Sequence, residues 1–458
     1  MNDPSSQTTP LTAVTQSPVA LAGTIWRLAW PVILTMSIES IVFLVDMLMV
    51  GRLGPSPVAG VGVATQILFA VNTVIFAVGT GTVAVVARCV GAGDVRQAGR
   101  VLGQSLLAVV TLVAVVIVPI FWAAPWIVER FGVDAAVASI GVGYLRIVLL
   151  AFPADAILLV IGFALRGAGD TRTPLFVGLV VAVVNVVGNY ILIFGNFGFP
   201  ALGANGAAWG TAIAYSTGAL LAFGLLQRGG LVLKLVRRWW RPEPAVMRRV
   251  LAVGYPAAIE HMLIQIGFVV YFAFAAVHGT SAVAAYVIGV RILGLSFLPG
   301  IGFSVAAGAL VGQNLGARQP EQARRSGWGT TALSTLLMSV GGVLIFVFAR
   351  PIAALFVNDA EVVDRAVVLI RVLAAVQPLM ALDFTLGGAL RGAGDTRFPL
   401  YVVLIGFYAC RLGFAYVATY VFAWDLFWLW FALVPDYVIR SILKIARFRS
   451  SHWESIRV

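Results

Sequence analysis

"LRGAGDTR" occupies residues 165–172, and the same eight residues return at 390–397, each time at the end of a long apolar run. At the same offset of 225, Pro31 meets Pro256, Gly54 meets Gly279, and Gly91-Ala92 meets Gly316-Ala317. Further along, Asp134-Ala135 meets Asp359-Ala360, Arg146 meets Arg371, and Pro153 meets Pro378. An ungapped register across landmarks this far apart means an internal duplication. Within the octets, Gly167 and Gly169 (Gly392 and Gly394 in the second copy) suit the positive φ angles of a tight reversal. Asp170 or Thr173 can cap the following helix, with Pro174 in its first turn. No strand precedes the octet, and neither Gly-x-Gly-x-x-Gly nor Gly-Lys-Ser/Thr is present, so a phosphate loop is excluded. The octet reads as a structural connection, with direct gating as the alternative.

What surrounds the octets is apolar. Of 458 residues 60% are hydrophobic and 11% charged, and the mean hydropathy is +0.98. A soluble domain is about half apolar and about a quarter charged, so this chain is built for lipid. At about 20 apolar residues per crossing, twelve helices fit. In the first half they lie near 25–50, 57–86, 101–124, 137–165, 174–195 and 203–227. In the second they lie near 250–277, 282–311, 327–348, 361–390, 399–421 and 425–446. Six is even, so equivalent loops share a side of the membrane and the halves are parallel repeats about an axis along the membrane normal. The expected organisation is a disordered cytosolic tail (1–20), an N-lobe (21–227), a cytosolic linker (228–249), a C-lobe (250–446) and a cytosolic C-terminal tail (447–458). The first 20 residues contain no Lys or Arg and lack a signal-peptide pattern.

The net charge of +12 follows from topology. Arg88, Arg96 and Arg100, both octets, Arg318, Arg324 and Arg325, "KLVRRWWRPEPAVMRR" and the basic C-terminal stretch all fall on one side; the other has little beyond Arg52, Arg130 and Arg350. Positive loops stay cytosolic, which places both termini in the cytosol of a multi-pass cell-membrane protein (cytoplasmic or inner membrane) and leaves no need for nucleic acid as a partner. Cys89 and Cys410 are too few for a disulfide framework.

"VDMLMVGRLG" (45–54), the paired octets, "NVVGNYILIFG" (185–195) and "LVGQNLGA" (310–317) resemble the multidrug and toxic compound extrusion (MATE) transporters, over about residues 22–446. The resemblance implies an all-α membrane protein with two helical lobes around a central cleft. It also implies export of cationic, amphipathic compounds against entry of sodium ions or protons, with no cofactor.

Intramembrane charge is costly and points to function or to a partner. Asp46 lies well inside the first helix, where the resemblance implies an acidic residue serving cation or proton coupling. Asn185 and Asn189 are four apart on one face of the fifth helix, and Thr211 lies on the sixth. With Asp46 they offer a carboxylate, two amide oxygens and a hydroxyl, the hard ligands of a small cation such as sodium. Some relatives have Asp at the position of Asn189, so this chain carries one carboxylate fewer. The alternative is polar glue between helices. Glu39 stands two turns before Asp46 on the same stripe and is left between cleft carboxylate and helix contact. Glu260 and Asp383 are the acids of the second half, where relatives with a second sodium site use a Glu and an Asp; a structural ion pair with Arg291 is the competing expectation. His261 and His278 lack metal-ligand spacing. Trp424, Trp428 and Trp430 read as an interfacial belt, and Trp239-Trp240 as an anchor.

A polytopic enzyme would need a nucleophile–base or metal constellation, and none stands in the sequence. No protein partner is implied. The favoured function is a secondary antiporter; the alternative is a flippase of lipid-linked saccharides, which should carry cationic cavity residues. Counting Arg291 and Arg411 as the only embedded exceptions, the embedded ionisable residues read as mostly acidic.

Overall fold

The computed structural model describes residues 17–236 and 241–456. The Trp239-Trp240 pair and most of the N-terminal tail lie outside them. The described chain is helical: α1 (Pro18–Gly51), α2 (Pro55–Gly91), α3 (Val95–Glu129), α4 (Ala135–Gly167), α5 (Arg172–Phe194), α6 (Ala204–Arg228), α7 (Pro244–Val277), α8 (Thr280–Gly316) and α9 (Pro320–Val347). There follow α10 (Ala349–Ala354), α11 (Ala360–Ala375), α12 (Gln377–Ala393), α13 (Arg397–Val403), α14 (Gly413–Tyr416), α15 (Leu426–Phe431) and α16 (Leu433–Arg449). Among the described residues eleven helices are long and apolar enough to cross a membrane, and α11 with α12 makes the twelfth, bent by 51°. The bend falls at Gln377-Pro378, where the proline ring denies an amide to the ladder and crowds the carbonyl four residues back. Between α13 and Val421 the eleventh span is mostly π-helical, over Leu404–Leu412 and Val417–Val421.

Two compact units form, and their boundary differs from the expected lobes. One unit holds Leu34–Tyr255; the other holds Pro256–Val458 together with α1 as far as Ile33. Each of the first helices of the two repeats is thus divided, close to the matched Pro31 and Pro256. The twelve residues from Pro244 to Tyr255, expected at the linker's end and the start of the C-lobe, belong to the first unit. There Gln104 of α3 accepts from the Glu243 amide and donates to the Arg241 carbonyl, both at 2.8 Å.

Inside each unit the same helices pair. In the first, α2, α3 and α4 pack mutually, and α6 packs on α4 and α5; in the second, α8, α9 and α12 pack mutually, and α16 packs on α12 and the π-helical span. The octets explain part of this. Gly169 and Gly394 do adopt positive φ, +88° and +90°. Gly167 and Gly392 do not; they are close-approach positions at the ends of α4 and α12. A Cβ on Gly167 would stand 2.8 Å from the Val83 carbonyl, and one on Gly392 would overlap Gly308, the residue that matches Val83 in the repeat. The expected cap is present in the first copy: Asp170 Oδ1 accepts from the amides of Arg172 and Thr173 at 3.1 and 3.0 Å, and the Thr173 hydroxyl donates to Oδ2 at 2.6 Å.

Two aromatic expectations change. Trp430 is core, 1% exposed and stacked on Tyr286, because its helix turns it inward; Trp424 and Trp428 stay partly exposed. The C-terminal stretch from residue 447 is not all tail. Trp453 is fully buried, stacked 4.5 Å from Phe448, and donates to the Phe448 carbonyl at 2.8 Å, while Glu454 pairs with Arg324 of α9.

Candidate functional site

Four of the expected residues meet inside the first unit. Asn185 and Asn189, one turn apart on α5, point the same way because of that spacing, and both are buried. The Asn189 amide donates to Asp46 Oδ1 at 2.6 Å, and its nitrogen lies 3.1 Å from the Asn185 side-chain amide. Asn185 in turn is 3.2 Å from the Thr211 hydroxyl of α6. The orientation of the Asn185 amide that its neighbours satisfy turns its NH2 to the two Asp46 carboxylate oxygens, at 2.9 and 3.2 Å, and its oxygen to the Thr211 hydroxyl. Asn189 Oδ1 is buried without a hydrogen-bond partner and abuts Gly210 of α6.

Gly210 is what lets α6 come this close. A Cβ there would overlap Asn189 Oδ1 and lie 2.9 Å from the Asn189 amide nitrogen. Gly210→Ala should therefore displace Asn189 from Asp46, cutting transport more than tenfold, with a stability loss of about 1–3 kcal/mol from overpacking. Transport assays beside thermal melts of the purified variant check this; activity equal to the parent would mean that the Asn189–Asp46 contact is dispensable.

Glu39 is exposed on α1 and makes no hydrogen bond or ion pair among the described residues; Asp155 of α4 and the buried Arg166 are its charged neighbours. Asp155 is 5% exposed, and no sequence pattern announced it. Its burial comes from the α2–α4–α6 packing, which a lone acid in an apolar run does not reveal.

Glu260 and Asp383 are not brought to Arg291, which is exposed. Their partners are others. Arg391, the octet's own arginine, lies 3.2 Å from Glu260 Oε1. Asp383 is held by Arg440, with contacts of 2.6 and 3.2 Å, and by Lys444 at 2.5 Å. Beside them Arg411 pairs with Asp436 at 2.6 Å, both almost fully buried, and stacks on Phe407. Arg440 and Lys444 had been placed in a basic cytosolic stretch; their side chains are instead inside the bundle, since α16 turns them toward α12. The embedded charges of the second unit are thus not mostly acidic: Glu260, Asp383 and Asp436 face Arg391, Arg411, Arg440 and Lys444.

No three His, Cys, Asp or Glu side chains come together as a metal site among the described residues. His278, at the turn between α7 and α8, is held below the usual histidine range by burial and by the nearby Arg365.

A twelve-span duplicated helical chain with buried polar clusters inside its units is a membrane transporter scaffold, and the comparisons agree. The MatE family model matches residues 31–191 and 256–417. A probable multidrug resistance protein NorM of Thermotoga maritima is 30% identical over 435 residues, covering 93% of this chain and 92% of its own. Two solved structures share the fold. One is a MOP-superfamily transporter from Pyrococcus furiosus, described by a reversed polarity of its binding pocket (TM-score 0.87, 21% identity, 96% of this chain and 98% of that one). The other is an outward-facing MATE multidrug resistance transporter (TM-score 0.87, 22% identity, 96% and 98%). This chain is a multi-pass membrane protein of the transporter class. It belongs to the MatE family, the multidrug and toxic compound extrusion transporters.

Proposed function

We propose that the protein is a secondary antiporter that exports cationic or amphipathic small molecules in exchange for sodium ions or protons, with Asp46, Asn185, Asn189 and Thr211 as the coupling site. The observation that carries this reading is the partly buried Asp46 carboxylate beside Asn189, whose own Oδ1 is buried without a hydrogen-bond partner: a carboxylate and an unpaired amide oxygen in one cluster suit a small cation or a proton. Exchange follows when the conformations open to either side hold that ion with unequal affinity. The relatives named for multidrug resistance support small-molecule export as the cargo class.

The test is substrate flux in proteoliposomes under separately imposed sodium and proton gradients. One of the two should drive accumulation of a lipophilic cation, while a neutral isostere fares worse; accumulation indifferent to both gradients would overturn the antiporter reading.

A flippase of lipid-linked saccharides is the second reading, and the single positive charge by which the second unit's cations exceed its acids favours it, since an anionic headgroup needs positive charge. Transport of an anionic analogue in preference to the cation would select it.

Sidedness is part of the proposal. Both octet loops, and both termini, face the cytosol of the cell membrane. Single cysteines introduced within 166–172 and 391–397 should label with a membrane-impermeant thiol reagent only from the cytosolic side; labelling of the two from opposite sides would refute parallel repeats.

A further inference from the structure

The second unit raises a question that the Asp46 site does not. Asp383 is a buried carboxylate on α12, 2% exposed, of the kind that would hold a small cation inside a membrane protein. Its surroundings are already cationic. Arg440 grips both carboxylate oxygens, and Lys444 Nζ lies 2.5 Å from Oδ1 and 3.0 Å from the Asp383 carbonyl oxygen. The ammonium thus contacts one charged and one neutral hard oxygen, the donor types that an alkali cation takes. Lys444 reaches them because Gly387 leaves room: a Cβ there would be 3.0 Å from Nζ and 3.4 Å from Arg391. Four fixed cations face three acids in the cluster, so it carries one positive charge in excess. Any further cation would enter against that charge.

We propose that the Lys444 ammonium is a tethered cation that occupies the Asp383 site permanently and closes the second unit to exchangeable monovalent cations. The inference stands apart from the reading of Asp46, since it concerns a different unit and different residues. Its consequence is that ion exchange is confined to the first unit. Lys444→Ala removes the charge and the stem together. The cluster becomes neutral, and a space lined by Asp383 Oδ1 and its carbonyl opens to a small cation that restores the original charge.

The experiment measures the thermal midpoint of purified full-length protein against increasing sodium, lithium or methylammonium chloride, with choline chloride holding ionic strength constant. Asp46→Asn is the background throughout, to silence the first unit. In that background Lys444 intact should give no cation response. Adding Lys444→Ala should create a saturable rise on the order of 2–4 °C for at least one of the three cations. Adding Asp383→Asn should abolish it. Lys444→Met, which keeps the stem and fills the space, should fold without gaining the response. A folded Lys444→Ala protein with no Asp383-dependent response overturns the proposal. So does a response with Lys444 intact that Asp383→Asn removes. A response in Asp46→Asn that Asp383→Asn leaves unchanged counts against the Asp46 site instead. If Lys444→Ala does not fold, the Lys444-intact pair decides, since it needs no vacancy at 444.

Discussion

Asp46→Asn should yield a folded, membrane-inserted protein that no longer concentrates substrate against its gradient. The substitution keeps the shape of the side chain and leaves an oxygen to accept from Asn189, whose amide lies 2.6 Å from Asp46 Oδ1 in the parent. What it removes is the charge. A unit charge about 4 Å from a bound ion contributes about 4 kcal/mol at an effective dielectric of about 20, which is about three orders of magnitude in ion affinity. An ion that no longer distinguishes two conformations cannot bias their exchange, however steep its gradient. Accumulation in vesicles should fall to the level of protein-free controls, while expression and melting stay near the parent. Undiminished accumulation by a well-folded Asp46→Asn protein would make Asp46 a helix-packing residue.

The second large effect is on stability. Asp436 and Arg411 are 0% and 1% exposed at the side chain and 2.6 Å apart. Asp436→Asn removes the counter-charge and leaves a guanidinium that cannot shed its proton. Breaking such a pair from one side costs about 3–5 kcal/mol, a large share of the 5–15 kcal/mol or so by which folded proteins are stable. The variant should melt far below the parent or fail to accumulate. Replacing both partners with apolar residues of similar volume, Asp436→Leu with Arg411→Met, should recover most of the loss. Melting of Asp436→Asn within a degree or two of the parent would show that the buried guanidinium of Arg411 does not depend on the Asp436 charge, which Arg440, a second cation 3.9 Å from Asp436, cannot replace.

How much of this could be read in advance differs between the units. The duplication, the helical class and the number of crossings follow from residue identity and apolar run length, which a sequence states directly. The Asp46 group was legible because its residues stand in a motif and because Asn185 and Asn189 share a face by spacing alone. The ion network of the second unit was not. Asp383 and Lys444 are 61 positions apart, and nothing in a basic stretch distinguishes a lysine turned toward a bundle from one turned toward water. Arg391 was taken as a topological signal, and its 3.2 Å contact with Glu260 is a tertiary fact. Gly167 was misassigned for a related reason: a glycine needed for backbone approach and a glycine needed for a turn are the same letter. The division of α1 near Ile33 was equally hidden, since the apolar run continues unbroken through it.

The π-helical stretch Leu404–Leu412 has a bearing on how the two copies are compared at all. Its first-copy counterpart, α5, is an ordinary α-helix over Arg172–Phe194. Matching residues by number assumes that equal counts mean equal angles around the helix. A ladder bonded to the fifth residue rather than the fourth turns less per residue, so phase is lost while the count is kept. Past residue 404, numerical partners such as Asn185 and Cys410 or Asn189 and Phe414 no longer share an azimuth. A single-codon deletion in this stretch is absorbed when a wide turn tightens to the ordinary α repeat, whereas the same deletion in α5 swings every later side chain of that span by about 100°.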